Sequence, residues 1–322
     1  MRPPRRSAWL GAAAALGLAL ALGACRKTAN KVSETMKGYA QSVGEMSRGA
    51  GEQLGLMKPR VYDYVRRAWR AREEPAALRA EYAFEERREL GRALGAELDG
   101  RLEGYDDERL VRYLNLVAAA LASCSDRPDL PVCVGVLRSE AVALYAVPGG
   151  PLYVTLGALR LCHSESELAG LLAQGVAWQA LDLPCADLEA ALAARRPGAA
   201  NLRELDAPGF GALIEGEASR LIAEAGLRAD ERALDADRAA TDLLVRLGYE
   251  PGGLKAWLAR VQVQRHERAG SAPAPEDNAL KAREQAIEDR LAQLAAPAVG
   301  RNLAQRFRQE CLARLPAPRL GP

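Results

Sequence analysis

The sequence predicts an α+β protein, mostly helical, with one small β-sheet. Three observations point there. Alanine, leucine, arginine and glutamate are abundant while aromatic residues make up only 5%, which is a helix-forming composition. Apolar residues recur at helical spacing from about residue 61 onward. Between residues 132 and 156 the pattern changes to short β-branched runs around a Pro-Gly-Gly turn.

Of the 322 residues, 49% are hydrophobic and 27% charged, a globular composition with room for one large domain or two small ones. A net charge of +2 excludes an electrostatic nucleic-acid binder, which would carry a strong basic excess.

The N-terminus reads as an export signal. Arg2, Arg5 and Arg6 precede an uncharged apolar stretch over residues 8–22, which ends in Leu22-Gly23-Ala24-Cys25. The stretch is shorter than the roughly 20 residues a membrane span needs. Leu-Gly-Ala-Cys resembles the lipobox of bacterial lipoproteins. The resemblance implies cleavage before Cys25 and lipid on its thiol and new amine, which together hold firmly to a membrane. An ordinary cleaved signal with an incidental cysteine is the alternative. Arg26 stands where an inner-membrane retention signal would be acidic, so the periplasmic face of the outer membrane is the expected location. The chain divides into a signal at 1–24, an acylated N-terminus and tether at 25–75, a main domain at 76–265 and a helical, charged tail at 266–322.

The main domain opens with a charge-rich helical pattern to residue 101, in which Leu90, Leu94 and Leu98 share a face. A second helix is predicted over 107–122, with a stripe of Leu110, Tyr113, Leu114 and Val117. Strands follow at 132–136, 141–147 and 152–156, with Pro148-Gly149-Gly150 as the turn. Ser164 and Glu167 have capping-box spacing at the head of a helix running to about residue 180, and Pro184 bars its continuation. Residues 186–228 form an Ala- and Arg-rich segment without a marked pattern. Asp230 caps a further helix to Leu247, which Gly248 and Pro251 end. Five cysteines remain beyond Cys25. In an oxidising compartment Cys124 and Cys133, flanking a Pro-containing turn, are the first candidates for a disulfide.

The order of these pieces resembles the M48 family of zinc metallopeptidases. The matching residues are Glu89-Leu90-Gly91, Tyr145 through Gly150, Leu152 through Leu159, Glu167 through Ala173, Asp235-Ala236-Asp237 and Leu247 through Pro251. The resemblance covers roughly residues 85–260. It implies a small β-sheet packed on an active-site helix, with the strand after Pro-Gly-Gly at the sheet edge. Gly149, Gly150, Leu152, Tyr153 and Val154 are then the candidates for receiving extended substrate by strand addition.

The same resemblance implies His-Glu-x-x-His on that helix. Positions i and i+4 share a face, so two imidazoles reach one zinc and the glutamate activates its water. Here the five positions read Gln174-Gly175-Val176-Ala177-Trp178, and Asp235 stands for the later glutamate ligand. A neutral amide is a poor zinc donor, glycine takes no proton, and the indole offers only an N–H. No histidine is spare to rescue the site, since His163 precedes the capped helix and His266 lies in a charged stretch. Asp235 and Asp237 read as solvated carboxylates pairing with Arg232 or Arg238. No catalytic residue, no bound metal and no cofactor are therefore expected, although zinc is what the family implies. Trp178 is expected to fill the vacated metal volume beside Asp235, and Gly175 to let another group approach.

The leading functional reading is a non-catalytic, membrane-anchored module that binds extended or unfolded envelope proteins. An active zinc endopeptidase with unusual ligands, and a structural α-rich lipoprotein unrelated to peptidases, are the alternatives.

Overall fold

A computed structural model of the chain describes residues 77–195, 207–224, 230–269, 275–295 and 299–318. The signal at 1–24, Cys25 and the tether to residue 75 lie outside them. No helix of the described residues is long and apolar enough to cross a membrane.

The chain is mostly helical, with a three-stranded mixed sheet. Helix α1 (Ala77–Leu102) and helix α2 (Glu108–Ser123) lead into strands β1 (Cys133–Leu137), β2 (Leu144–Ala146) and β3 (Pro151–Thr155). Then come α3 (Leu156–Leu161), α4 (Glu165–Ala180), α5 (Leu183–Arg195), α6 (Ala207–Glu224) and α7 (Glu231–Leu247). The described chain ends with α8 (Gly253–Ala269), α9 (Pro275–Gln293), α10 (Ala304–Glu310) and a 3₁₀ turn at Leu312–Arg314.

Helix α4 is the axis of the fold. Nearly all its residues are buried, against α2, α7, α8 and the sheet. A helix buried on every side needs small residues where neighbours come close. A Cβ at Gly170 would lie 2.5 Å from the Leu254 backbone nitrogen, and one at Gly175 would lie 2.9 Å from Leu152 Cδ1 and 3.0 Å from Leu144 Cδ2. The groups that approach Gly175 are thus leucines of the sheet. Ser164 caps α4 by accepting the Glu167 N–H at 3.2 Å, while the Glu167 carboxylate takes the His163 N–H at 2.8 Å, one residue before the cap.

Other local signals match their structures. Leu90, Leu94 and Leu98 are buried and form a second core with Leu213, Ile214 and Ala218 of α6. Asp230 Oδ1 caps α7 by accepting the Ala233 N–H at 3.0 Å, and Gly248 ends it in the left-handed region at φ 71°.

Four expectations need correction. First, the strand after Pro-Gly-Gly is central, because the sheet order is β1-β3-β2. Leu152, Tyr153 and Val154 pair in parallel with Val134, Gly135 and Val136 on one side and antiparallel with β2 on the other. Their backbone has no side left for substrate. Gly149 and Gly150, at φ 82° and 114°, form the turn that lets the hairpin press on the backbone of Arg88 and Pro131. Second, Cys124 and Cys133 form no disulfide; both are free thiols. Cys124 ends α2 while Cys133 opens β1 beside Pro151, and burial pushes the Cys133 thiol up to about 12. Third, residues 186–228 contain most of α5 and all of α6. α4 does end at Ala180, ahead of Pro184, and Pro184 itself sits in the first turn of α5, where its missing N–H has no partner to lose.

Fourth, the segment 266–322 is woven into the core rather than appended to it. Leu280, Ile287, Phe307 and Cys311 are all fully buried. Its last stretch straps the head of α4, where the Ser166 N–H donates to the Asn302 carbonyl at 3.2 Å. Tyr105 Oη donates to the Arg314 carbonyl at 2.7 Å, and Arg160 Nη2 to the Pro316 carbonyl at 2.6 Å.

Candidate functional site

The positions corresponding to the metal site separate in space. Gln174 is buried on α4, and its Nε2 donates to Asp237 Oδ1 on α7 at 3.0 Å. Asp237 in turn is held by Arg283 of α9, with Nε on Oδ2 at 2.7 Å and Nη2 on Oδ1 at 2.9 Å. Both side chains are out of water, at 1% and 0% exposure. Burial pushes the Asp237 carboxyl up, and the guanidinium pulls it back only in part.

Asp235 is elsewhere. Its side chain is 55% exposed and pairs with Arg238 at 2.6 Å. Two residues along a helix turn the chain through about 200°, so Asp235 and Asp237 take opposite faces. The carboxylate that faces Gln174 is therefore Asp237, which the sequence suggested was solvated. Trp178 is half-buried, packs against the main core and lines a surface cleft with Ala233 and Asp230.

These residues do not fit zinc. The Gln174 amide donates to a carboxylate, Gly175 packs on leucines, and Asp235 points outward. His163 lies roughly 16 Å along the helix axis from Gln174, at 1.5 Å per residue. Its side chain is exposed, as is that of His266, whose Nδ1 meets the Gln262 carbonyl at 2.9 Å. Among the described residues no three His, Cys, Asp or Glu side chains cluster as a metal site.

A second buried carboxylate, Glu165 at the head of α4, is fully engaged. Tyr113 and Tyr249 hydroxyls donate to it at 2.8 and 2.7 Å, and Arg306 of α10 grips both oxygens. With every acceptor used, this node joins elements and offers nothing to a ligand.

Among the described residues, a feature open to a ligand is a cleft, a space of about 490 Å³, part of it open to solvent. One wall is β2, whose Leu144, Tyr145 and Ala146 all line it. Trp178, Leu183, Leu221 and Ala233 also line it, together with Asp187, Arg220, Glu224 and Asp230. Arg220 is held by carboxylates, with Nε donating to Glu217 at 2.9 Å and Nη2 reaching Asp187 at 3.3 Å. Those bonds, Glu217 foremost, raise its pKa and keep it charged.

The register of β2 decides which of its groups face the cleft. Ala143 pairs with Thr155 and Val147 with Pro151 through backbone bonds of 3.1 Å each. Antiparallel pairing alternates, so Tyr145 bonds to Tyr153, while Leu144 and Ala146 turn both N–H and C=O away from β3. Those four groups make no hydrogen bond among the described residues. Yet Leu144 and Ala146 are only 2% and 6% exposed. Sequence reasoning placed the edge one strand too late. The strand itself was legible at 141–147, but nothing in it marked it as an edge.

The sequence matches no protein-family model and no curated protein.

Proposed function

We propose that this chain is a lipid-anchored, non-catalytic relative of the M48 metallopeptidases that holds extended polypeptide on strand β2 at the face of an envelope membrane. The observation that carries the reading is the outward backbone of Leu144 and Ala146 inside a cleft, without a partner among the described residues. Buried backbone groups are nearly always paired. An added strand would satisfy all four at once, by hydrogen bonds that need no metal. The absence of catalysis is supported by Gln174, whose amide is committed to the Asp237–Arg283 pair rather than free to ligate. The anchor at Cys25 rests on the lipobox resemblance, and peptide binding beside a membrane suits such an anchor.

The test uses the mature lipoprotein in detergent micelles. It is expected to contain no stoichiometric zinc, to leave casein uncut, and to bind an unfolded envelope protein. Ala146→Pro removes one outward N–H without touching the β3 ladder, which is where proline is tolerated in a sheet. It is expected to weaken binding about tenfold. Stoichiometric zinc with chelator-sensitive cleavage overturns the non-catalytic reading. Unchanged binding by a folded Ala146→Pro variant overturns strand addition.

A further inference from the structure

The geometry points to a redox clasp: Cys162 and Cys311 form a thiol pair that a disulfide-bearing oxidant converts into a bridge, fixing the C-terminal strap to the head of α4. The clasp is independent of strand addition and uses no part of the cleft.

Two segments run past each other in opposite directions here. Residues 160–166 lead from the end of α3 into α4, and residues 302–316 form the strap. Three contacts fix how they line up. Arg160 Nη2 donates to the Pro316 carbonyl at 2.6 Å. Arg306 grips both oxygens of Glu165. The Ser166 N–H donates to the Asn302 carbonyl at 3.2 Å. Cys162 lies between the first two contacts on its segment, and Cys311 lies between the same two on the other. The register therefore sets the two cysteines against each other.

Both side chains are 0% exposed and belong to the same core. Cys162 closes α3 and its Sγ donates to the Ala158 carbonyl at 3.5 Å. Cys311 closes α10, with its N–H on the Phe307 carbonyl at 2.9 Å. Burial pushes the Cys162 thiol well up and the charge of a Cys311 thiolate adds to the push, so the two sulfurs act on one another. The remaining thiols sit in other surroundings. Cys124 ends α2, Cys133 opens β1 beside Pro151, and Cys185 neighbours Asp182 and Arg87.

Both partners are thiols in this structure. Buried and protonated, they are inert. Local opening of the strap exposes Cys311 and restores its ordinary acidity. The Cys311 thiolate then attacks the disulfide of the oxidant and releases one of its sulfurs as a thiolate. As the strap recloses, the Cys162 thiolate attacks the Cys311 sulfur of this mixed disulfide and expels the second. One S–S bond forms as one breaks. Two electrons pass to the oxidant, and the two cysteine protons end on its thiols. The new bridge closes a loop of about 150 residues, which constrains the unfolded chain strongly.

The experiment incubates the full lipoprotein in micelles with oxidised glutathione until its thiol count is constant. The count is expected to fall from five to three, and a non-reducing peptide map should join the Cys162 and Cys311 peptides. The oxidised form is expected to melt roughly 5–10 °C above the reduced form. Cys162→Ala and Cys311→Ala should each abolish that difference. The comparison of oxidised with reduced wild type stands even where a variant fails to fold. Five thiols remaining, a different pair dominating the map, or Cys311 ending as a stable mixed disulfide with glutathione each overturns the clasp. A bridge that lowers the melting temperature overturns it too, since the two sulfurs would then be joined only by distorting the fold.

Discussion

Arg283 holds Asp237 by two guanidinium nitrogens at 2.7 and 2.9 Å, and Gln174 adds a third donor at 3.0 Å to the same carboxylate. Three helices, α4, α7 and α9, meet at that one group. A carboxylate buried this deeply is tolerable only when paired and hydrogen-bonded. Arg283→Met is therefore expected to destabilise the fold by about 3–5 kcal/mol, since it leaves an uncompensated buried charge. Adding Asp237→Asn removes that charge and should recover a large part of the loss. Urea unfolding of the two variants checks this. Equal loss in both would show that packing, not charge, is what Arg283 contributes.

The small residues of α4 give a contrast rather than a single effect. Alanine at Gly170 would put a Cβ 2.5 Å from the Leu254 nitrogen and 2.7 Å from its Cα, backbone that cannot move without shifting α8. At Gly175 the obstacles are methyl ends of Leu152 and Leu144 at 2.9 and 3.0 Å. Gly170→Ala should cost about 2–3 kcal/mol by overpacking. Gly175→Ala should stay within about 1 kcal/mol of wild type, because helix propensity offsets part of the leucine adjustment. Thermal melts of the pair decide it, and a reversed order would mean that the sheet side of α4 is the stiffer one.

These outcomes show where the sequence was readable. Signals within one turn of their target were clear: Leu90, Leu94 and Leu98 on one face, Ser164 and Asp230 as caps, Gly248 as a stop. Sheet order was not, because nothing in Leu144-Tyr145-Ala146 says that β3 slides between it and β1. The centre of the site was half legible. Ala233, Ala236, Asp237, Ala240, Thr241 and Leu244 recur every third or fourth residue, and that stripe places Asp237 inward with its small neighbours. Its partner Arg283 is 46 residues away, and no local pattern links them. The Arg-rich composition of residues 186–228 likewise hid two helices, one of which carries Arg220.

At the head of α4, Arg306 grips the Glu165 carboxylate that two tyrosines also engage. The Arg306 side chain is 28% exposed, so water screens part of the interaction. Arg306→Ala is expected to cost about 2 kcal/mol, the scale of charge-assisted hydrogen bonds. The loss should concentrate locally. Amide exchange at Ser166, whose N–H bonds to Asn302, should rise more than exchange in α7. Uniform exchange across both helices would instead mean that the C-terminal strap and the core unfold as one.

Buried thiols make the fold sensitive to alkali. Burial pushes Cys133, Cys185 and Cys311 up to about 12 from an ordinary value of 9.0. Burial also raises Cys162, Tyr113 and Tyr249, the two tyrosines with help from Glu165. Below pH 9 folded and unfolded chains hold these protons equally, so the thiols add no pH dependence. Above it the unfolded chain releases thiol protons that the folded chain keeps. Stability then falls with rising pH, because the unfolded state binds fewer protons. The melting temperature should thus be flat from pH 7 to about 8.5 and drop steadily towards pH 11, with Cys133→Ser shallower than wild type. A melting temperature unchanged through pH 11 would mean that these sulfurs are not thiols in the folded protein. That would reopen the question of which of them pair.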